Sequence, residues 1–485
     1  MKVRISPFEA KLVAYRLLGK GVVDALVWMV SHNGRRMDRA AIALSRWLER
    51  LARLEDHKEH WRQFRALWKD NHPSLQLVRR VFTDLHPNVR RRAFENLLIN
   101  VTFVGALKRR RLHRQGKAAP VLLVISPTQK CNLRCKGCYA AQYAKEELPF
   151  EVFDRVIREG KEMGTYFYVI SGGEPFVYPR LLEIFERHRD CAFLVYTNGT
   201  LIDKVMARRL AELGNVAPAV SIEGFEEETD RRRGKGMFKR VMEAFDNMRE
   251  AGMLYGFSAT ATRENTDTIG SEEFIRLMVE KGCYFGWYFI YIPIGHAPSL
   301  EYMPTPEQRN RLREAITYFR DKYPIFVADF WGDGRLTGGC MAGGRIYAHI
   351  NASGIVEPCV FFQFHVDNIK EKSLEEALNS PFFRAIRRRF PWTENELRPC
   401  PIIDCPWVLR EAVKEGGAKP SNAGVLHLLG ESAEFMDRYA LEYARVVDPV
   451  WERLKREGRV AKGRPLPLGG KEGIDKGSPY VRGEA

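Results

Sequence analysis

The sequence has few cysteines for its length, nine among 485 residues, and they do not form the dense framework of a small secreted domain. The sequence is not expected to begin with a signal peptide, because Arg16, Lys20 and Asp24 interrupt its first apolar stretch and no small-residue cleavage site follows. It contains no Gly/Ser-rich linker and no clear internal repeat. We therefore expect a cytoplasmic protein with reduced thiols.

The excess of positive charge is confined to the first quarter of the chain. Residues 1–118 contain 26 Lys and Arg against 10 Asp and Glu, whereas residues 119–485 contain 51 of each sign. Such asymmetry is typical of a segment that faces an anionic membrane surface, a nucleic acid or an acidic partner. No RNA-binding fold is recognisable in the sequence, so nucleic acid is not favoured.

This basic region is predicted to be helical. Its plainest helix, Ala93–Leu107, has apolar residues at helical spacing, but at about 1.5 Å per residue it is too short to span a bilayer. Two interpretations stay open: peripheral contact with the inner face of a membrane, or a cap that packs its tryptophans on the next domain and exposes its charges. Four of the nine tryptophans fall in the first 70 residues: Trp28, Trp47, Trp61 and Trp68.

From about residue 119 to 325 short β-rich runs alternate with amphipathic helical runs. Repeated strand–helix units predict an α/β domain with a parallel sheet, and six units favour an open, partial (β/α)6 barrel. Its chemistry is expected at the C-terminal ends of the strands. The predicted strands are Pro120–Ser126, Tyr166–Ser171, Ala192–Thr197, Pro218–Ile222, Gly256–Thr262 and Tyr284–Ile292.

Three cysteines directly follow the first predicted strand, at Cys131, Cys135 and Cys138. Thiolate sulfur is a soft ligand that suits iron–sulfur clusters and zinc. Structural zinc prefers paired two-residue spacings with a fourth local ligand, and none is nearby. Three thiolates on one loop therefore favour a four-iron cluster with one iron open for catalysis.

This loop resembles the radical S-adenosylmethionine (radical SAM) superfamily, whose members place three cysteines with these spacings after the first strand of a partial (β/α)6 barrel. The resemblance covers about residues 119–325. The family usually has an aromatic residue just before the third cysteine, where this sequence has Gly137; its aromatic residue, Tyr139, comes just after.

The resemblance also implies contacts to S-adenosylmethionine at the ends of later strands. A Gly-Gly-Glu-Pro segment ends the second strand, where glycines allow close backbone approach and a carboxylate complements the methionine ammonium. Side chains on the third to fifth strands are expected around the cofactor, with serine on the ribose and arginine on the carboxylate. The implied residues are Gly172, Gly173, Glu174, Pro175, Asn198, Ser221, Ser258 and Arg263.

The resemblance implies a reaction as well. One electron from the reduced cluster, supplied by a protein such as flavodoxin or ferredoxin, cleaves S-adenosylmethionine. The resulting 5′-deoxyadenosyl radical takes hydrogen from a substrate carbon. The protein contributes positioning, electrostatics and exclusion of water.

A second group of cysteines lies in region 326–415, which breaks the strand–helix alternation. The spacing of Cys340, Gly354 and Cys359 resembles the opening of the SPASM/twitch extension of radical SAM enzymes, where a hairpin carries ligands of an auxiliary four-iron cluster. Cys400 and Cys405 would complete the set. With four cysteines the shorter twitch form with one cluster is favoured. Structural zinc is the alternative, and Asp404 is a candidate replacement ligand.

The remaining predictions concern the end of the chain and the substrate. Region 416–485 is predicted to contain a helix near Ser432–Arg456 and a disordered tail from Ala461. The basic N-terminal helices favour a membrane lipid or isoprenoid chain as substrate. The alternatives are a peptide-modifying maturase and a non-catalytic electron-transfer protein with two clusters. Tyr288, Tyr291 and His296 are candidates for proton or hydrogen donation, without a preferred one, and the alternative is that they are core or rim residues.

Overall fold

The computed structural model describes residues 72–295 and 297–459, together with a few helical residues between 42 and 66. Trp28, Trp68, His296 and the predicted tail from Ala461 lie outside the described residues. Among the described residues, no helix combines the length and apolar character needed to cross a bilayer.

A ten-stranded sheet forms the centre of the molecule. Its middle strands run parallel in sequence order, and each predicted strand of the barrel is present within two residues of its expected bounds. This confirms the predicted parallel, partial-barrel architecture. The first seven strands are β1 (Leu122–Thr128), β2 (Phe167–Gly172), β3 (Ala192–Thr197), β4 (Val216–Ser221), β5 (Gly256–Ala261), β6 (Phe285–Ile290) and β7 (Phe326–Asp329).

The last of these strands was not predicted. β7 pairs in parallel with β6, through Phe285 with Phe326 and Tyr288 with Asp329. It therefore continues the sheet past residue 325, where the sequence pattern ended the barrel. Only four residues long, β7 gives too short an apolar run to be recognised by its pattern.

Amphipathic helices cover the outer face of the sheet. The helix Phe150–Met163 buries Phe153, Val156 and Ile157 and ends at Gly164, whose φ of 96° suits a glycine cap. At Gly160 in this helix a Cβ would lie 2.4 Å from the Tyr168 hydroxyl oxygen of β2. A glycine is therefore required for the helix to approach the strand this closely.

The other helices of this layer are shorter or follow later strands. They are Leu181–Arg187, Lys204–Leu213, Glu226–Arg233, Met237–Glu250, Thr266–Ile269, Glu272–Glu280 and Pro306–Lys322.

The region after β7 extends the same sheet. β8 (Tyr347–Ile350) and β9 (Ile355–Glu357) form the predicted hairpin, and Gly354 lies in its turn with a φ of 84°. β8 also pairs in parallel with β1, and the short strand Asp367–Asn368 pairs with β9. The predicted hairpin is confirmed, but it belongs to the barrel sheet rather than to a separate one.

The remaining described elements complete the C-terminal part. The two-residue strands Phe364–His365 and Lys419–Pro420 pair with each other. The helix Ala433–Arg456 begins one residue after its predicted start. The other helices are Gly334–Thr337, Leu374–Leu378, Pro381–Arg388 and Pro406–Gly416.

The described part of the N-terminal region is helical, as predicted, over Ser74–Thr83 and from Pro87 to Arg114, with a π-helical stretch at Phe94–Gly105. It packs on the loops that precede the strands. Asn96 donates to the Cys191 carbonyl before β3, and Arg109 donates to the Gly164 carbonyl before β2. Residues 74–114 therefore cap the barrel end opposite the strand C-termini. This favours the cap interpretation for these residues; membrane contact stays a prediction.

Candidate functional site

The three-cysteine loop is tied to the end of β2. The Gly173 amide donates to the Thr128 carbonyl and the Glu174 amide to the Lys130 carbonyl, both at 2.9 Å. A Cβ at Gly173 would lie 2.1 Å from the Lys130 oxygen. The glycine predicted to approach a cofactor is thus also needed to bring these two loops together.

The three thiols of this loop share one environment. Burial raises the pKa of Cys131 and of Cys138, and a neighbouring thiol raises each further. The Leu133 amide donates to the Cys131 sulfur at 3.4 Å, an interaction that favours a thiolate. Iron binding replaces the protons of such thiols. The donor set therefore fits a four-iron cluster with one iron left without a protein ligand.

A buried group of ion pairs contacts the three-cysteine loop and was not predicted from the sequence. Glu223, just after β4, pairs with Arg232 at 2.6 Å and accepts from the Nε of Arg233 at 2.7 Å. The Arg232 carbonyl accepts the Lys136 amide at 2.9 Å. The charges of both arginines oppose the rise in the pKa of Cys138 that burial causes. The run of three arginines that follows Glu223 was the available signal.

Glu174 lies at this junction with its carboxylate already hydrogen-bonded. It accepts from the Thr197 hydroxyl and the Asn198 amide at 2.7 Å each, and from the Phe176 amide at 3.2 Å. Burial raises the pKa of Glu174, and these hydrogen bonds oppose the rise. The carboxylate joins the ends of β2 and β3. Its contact with the methionine ammonium stays a prediction.

Two other predicted cofactor residues lie close to this junction. The Asn198 side chain donates to the Asn132 side chain in the cysteine loop at 2.8 Å. Pro175 is buried and begins a short 3-10 turn. Asn198 therefore supports the loop that carries the thiols. Direct contact of either residue with S-adenosylmethionine stays a prediction.

The hydroxyls predicted for ribose binding come together on neighbouring strands. Ser221 and Ser258 share a hydrogen bond of 3.3 Å and occupy paired positions of β4 and β5. Trp287 of β6 pairs with Ser258 and continues the same face. Arg263 lies apart, exposed, with its Nε donating to the Met303 carbonyl at 3.1 Å.

The structure describes two of the three candidate donors, Tyr288 and Tyr291. Tyr288 alternates with Trp287 on β6, and Phe257, its T-shaped ring partner, also contacts Phe274 of the outer helix layer. Tyr288 therefore points away from the barrel interior. Tyr291 packs against Gly137 in the cysteine loop. An aromatic ring from the end of β6 thus lies beside the position where the family usually has its own.

Three of the four cysteines of the second group come together. Cys340, Cys359 and Cys400 line one cavity with an aromatic wall. Each of these sulfurs accepts an amide hydrogen from the residue two positions on, at 3.4–3.5 Å. Cys405 lies outside that lining, at the N-terminus of Pro406–Gly416, where burial and the nearby Asp404 and Cys340 charges raise its pKa.

The thiols that line this cavity resist ionisation on their own and are better suited to binding a metal. Burial raises the pKa of Cys340 to about 12 and also raises that of Cys359. The Tyr347 hydroxyl donates to the Cys359 sulfur at 2.7 Å. Hydrogen bonds to sulfur are a normal feature of iron–sulfur sites, where they tune the reduction potential. This donor set fits an auxiliary iron–sulfur cluster.

Asp404, the candidate replacement ligand, has other partners. Its carboxylate accepts the Cys400 amide and pairs with Arg309, both at 3.0 Å. Across the described residues, no three His, Cys, Asp or Glu side chains converge on a point suited to a single metal ion. A four-iron cluster differs in presenting separate irons to its ligands.

Comparison with known families matches both parts of the chain. Residues 125–270 match the model of the radical SAM superfamily, and residues 340–406 match SPASM, an iron–sulfur cluster-binding domain. Fold and site together define an iron–sulfur enzyme that uses S-adenosylmethionine. The chain thus contains a radical SAM domain and a SPASM domain, as the cysteine spacings indicated. That the chain binds a single auxiliary cluster stays a prediction.

Several curated proteins are similar to this chain. Fe-coproporphyrin III synthase of Methanosarcina barkeri is 34% identical over 30% of this chain, which spans only 39% of that protein. AdoMet-dependent heme synthase of Oleidesulfovibrio alaskensis is 25% identical over 58% of this chain and 81% of its own length. Mycofactocin maturase MftC of Mycolicibacterium smegmatis is 28% identical, with 51% and 66% covered.

A solved structure agrees with the fold. SuiB of Streptococcus suis, crystallised with S-adenosylmethionine, superimposes with a TM-score of 0.50 over 57% of this chain and 70% of its own. At 22% identity the likeness concerns the fold alone.

Proposed function

We propose that this enzyme oxidises a carbon centre of a large, planar or apolar substrate, and that the auxiliary cluster, when bound, would be available to accept the second electron. When bound, the reduced cluster and S-adenosylmethionine supply a 5′-deoxyadenosyl radical that removes one hydrogen atom from the substrate. Cys131, Cys135 and Cys138 would hold the first cluster, and Cys340, Cys359, Cys400 and Cys405 the second. Loss of a further electron and a proton completes a two-electron oxidation.

The observation that carries this proposal is a continuous aromatic wall between the two cysteine groups. Phe289 contacts Tyr196 and Phe330 with ring centroids 5.4 and 5.3 Å apart. Phe330 contacts Phe361, which contacts Tyr139, the neighbour of Cys138. Aromatic walls bind planar and apolar groups and exclude water from a radical.

A tetrapyrrole is the substrate class that we favour. Its conjugated ring suits the aromatic wall, and three heme synthases are covered over 81%, 85% and 86% of their lengths by this chain. A peptide substrate is the second candidate, because mycofactocin maturases and the PqqA peptide cyclase of Rhizobium meliloti are also similar. The lipid or isoprenoid substrate predicted from the basic region is supported by no relative named here.

The test is anaerobic turnover with a panel of substrates. The reconstituted full chain would receive dithionite, S-adenosylmethionine and either iron-coproporphyrin III, precursor-type peptides or anionic lipid vesicles. We expect iron-coproporphyrin III to stimulate 5′-deoxyadenosine formation and to lose mass in an oxidative reaction. Stimulation only by a peptide or only by vesicles would replace the favoured substrate with that class. No 5′-deoxyadenosine under any condition would contradict the proposed reaction.

A further inference from the structure

A buried arginine reaches the second cysteine group from outside both family-matched ranges. Arg309, on the helix Pro306–Lys322, forms an ion pair of 3.0 Å with Asp404. The two side chains are 1% and 0% exposed. A charge buried this deeply is stable only when it is paired, so Arg309 and Asp404 depend on each other.

Asp404 shapes the turn that carries two of the proposed ligands. One carboxylate oxygen accepts from Arg309, and the other accepts the Cys400 amide at 3.0 Å. The amides of Asp404 and Cys405 both donate to the Cys400 carbonyl, also at 3.0 Å. The carboxylate therefore holds the Cys400 thiol and the Cys405 thiol in a fixed relation.

The C-terminal helix Ala433–Arg456 completes the arrangement. The guanidinium carbon of Arg309 lies 3.6 Å from the centroid of the Tyr443 ring, within the range of a cation–π contact. The Tyr439 hydroxyl donates to the Pro304 carbonyl at 2.7 Å and so fixes this helix beside the start of the helix that bears Arg309. The helix thus places an aromatic ring against the guanidinium that pairs with Asp404.

We propose that Arg309 is a positioning residue for the auxiliary cluster, held in place by Tyr443 of the C-terminal helix. Thiolate ligands add negative charge next to Asp404, and Arg309 supplies the positive charge that keeps the turn closed. Without Arg309, a carboxylate would lie buried beside a negatively charged cluster, and the turn would open. This inference rests on the proposed auxiliary ligands and not on the proposed substrate.

The test compares Arg309→Met with Arg309→Lys in the full, reconstituted chain. We expect about eight irons per chain in the wild type and in Arg309→Lys, and about four in Arg309→Met, because only the auxiliary cluster is lost. Any auxiliary cluster that Arg309→Met keeps should show a lower midpoint potential in an EPR-monitored redox titration, since a nearby positive charge favours the reduced form. Eight irons with a wild-type midpoint potential in Arg309→Met would overturn the proposal.

If Arg309→Met does not fold, a second pair of variants tests the same proposal. Tyr443→Leu removes the ring beside the guanidinium and should lose auxiliary iron, whereas Tyr443→Phe keeps the ring and should retain it. Asp437→Asn is the matched control, because Asp437 lies on the same helix and its more exposed ion pair, with Arg410 of Pro406–Gly416, does not involve Arg309. Equal iron in Tyr443→Leu and Tyr443→Phe would overturn the role of the helix. Only four irons in the wild type would instead overturn the proposed ligands.

Discussion

Tyr291 lies so close to Gly137 that a Cβ atom at position 137 would be 2.7 Å from its Cε2 atom. Gly137 also has a φ of 66°, in the left-handed region that favours glycine. The family's usual aromatic residue before the third cysteine would therefore collide with Tyr291 here. Gly137 and Tyr291 therefore occur together, because the Tyr291 ring, just after β6, fills the space that a side chain at position 137 would need.

Replacing this glycine should therefore destabilise the cysteine loop. We expect Gly137→Ala to lower the free energy of unfolding by about 1–3 kcal/mol, from backbone strain and the contact with Tyr291. Gly116→Ala is the control, since Gly116 has a φ of 72° but open space around it. Urea unfolding would measure both. Equal losses for the two variants would contradict the role given to Tyr291.

The three-cysteine loop should hold about four irons. Single replacement of Cys131, Cys135 or Cys138 by alanine should remove that iron and all formation of 5′-deoxyadenosine, leaving the auxiliary iron in place. Cys283→Ala is the matched control, because Cys283 is a buried thiol in neither group. Iron analysis with product chromatography is the measurement. The assignment fails if the triple variant still cleaves S-adenosylmethionine.

The hydroxyl of Tyr347 should tune the auxiliary cluster. Tyr347→Phe removes the 2.7 Å hydrogen bond to the Cys359 sulfur while keeping the buried ring. Because such hydrogen bonds stabilise the more negative, reduced state, the variant should keep its iron but have a lower midpoint potential. An EPR-monitored redox titration measures this midpoint potential. An unchanged potential would indicate that Cys359 is not a ligand.

Asp329 at the end of β7 predicts a dependence of stability on pH. Burial, together with the Asp333 charge, raises the pKa of Asp329 to about 6. Because this pKa lies above the unfolded value of about 4, the folded state binds the proton more tightly, and the stability contribution falls as pH rises from about 4 to about 6. Above that window the cost is about 2–3 kcal/mol.

Asp329→Asn should remove this cost. The amide oxygen can still accept from the Trp331 and Gly332 amides, which donate to Asp329 Oδ1 at 3.0 and 2.8 Å. Relative to the wild type, the apo variant should gain about 2 kcal/mol at pH 7.5 and less at pH 5. Urea unfolding at the two pH values gives the difference. A gain that does not change with pH would show that Asp329 does not titrate in this range.

The membrane prediction can be tested without disturbing the cap. Deleting residues 1–71 leaves the helices that pack on the barrel, so the variant should keep its iron. If the basic segment binds a membrane surface, this deletion should abolish sedimentation with anionic vesicles, and neutral vesicles should bind neither protein. A full-length chain that stays in the supernatant with anionic vesicles would remove the prediction.

Much of the fold was predictable because local patterns determine it. The six barrel strands, the helix Phe150–Met163 and the hairpin turn at Gly354 all follow from apolar spacing and glycine placement. The thiol groups followed from cysteine spacing. Relations between distant residues were not predictable in this way. Arg309 and Asp404 are 95 positions apart, and neither has a neighbour in sequence that signals the other.

The pairing of β8 with β1 fixes the relative position of two segments that are far apart in sequence. β1 leads into the loop of Cys131, while β8 and its hairpin partner lead to Cys359. Backbone hydrogen bonds in a defined register therefore connect the strands that lead to the two cysteine groups. If both groups hold clusters, as proposed, this shared sheet should keep the distance between them constant through turnover.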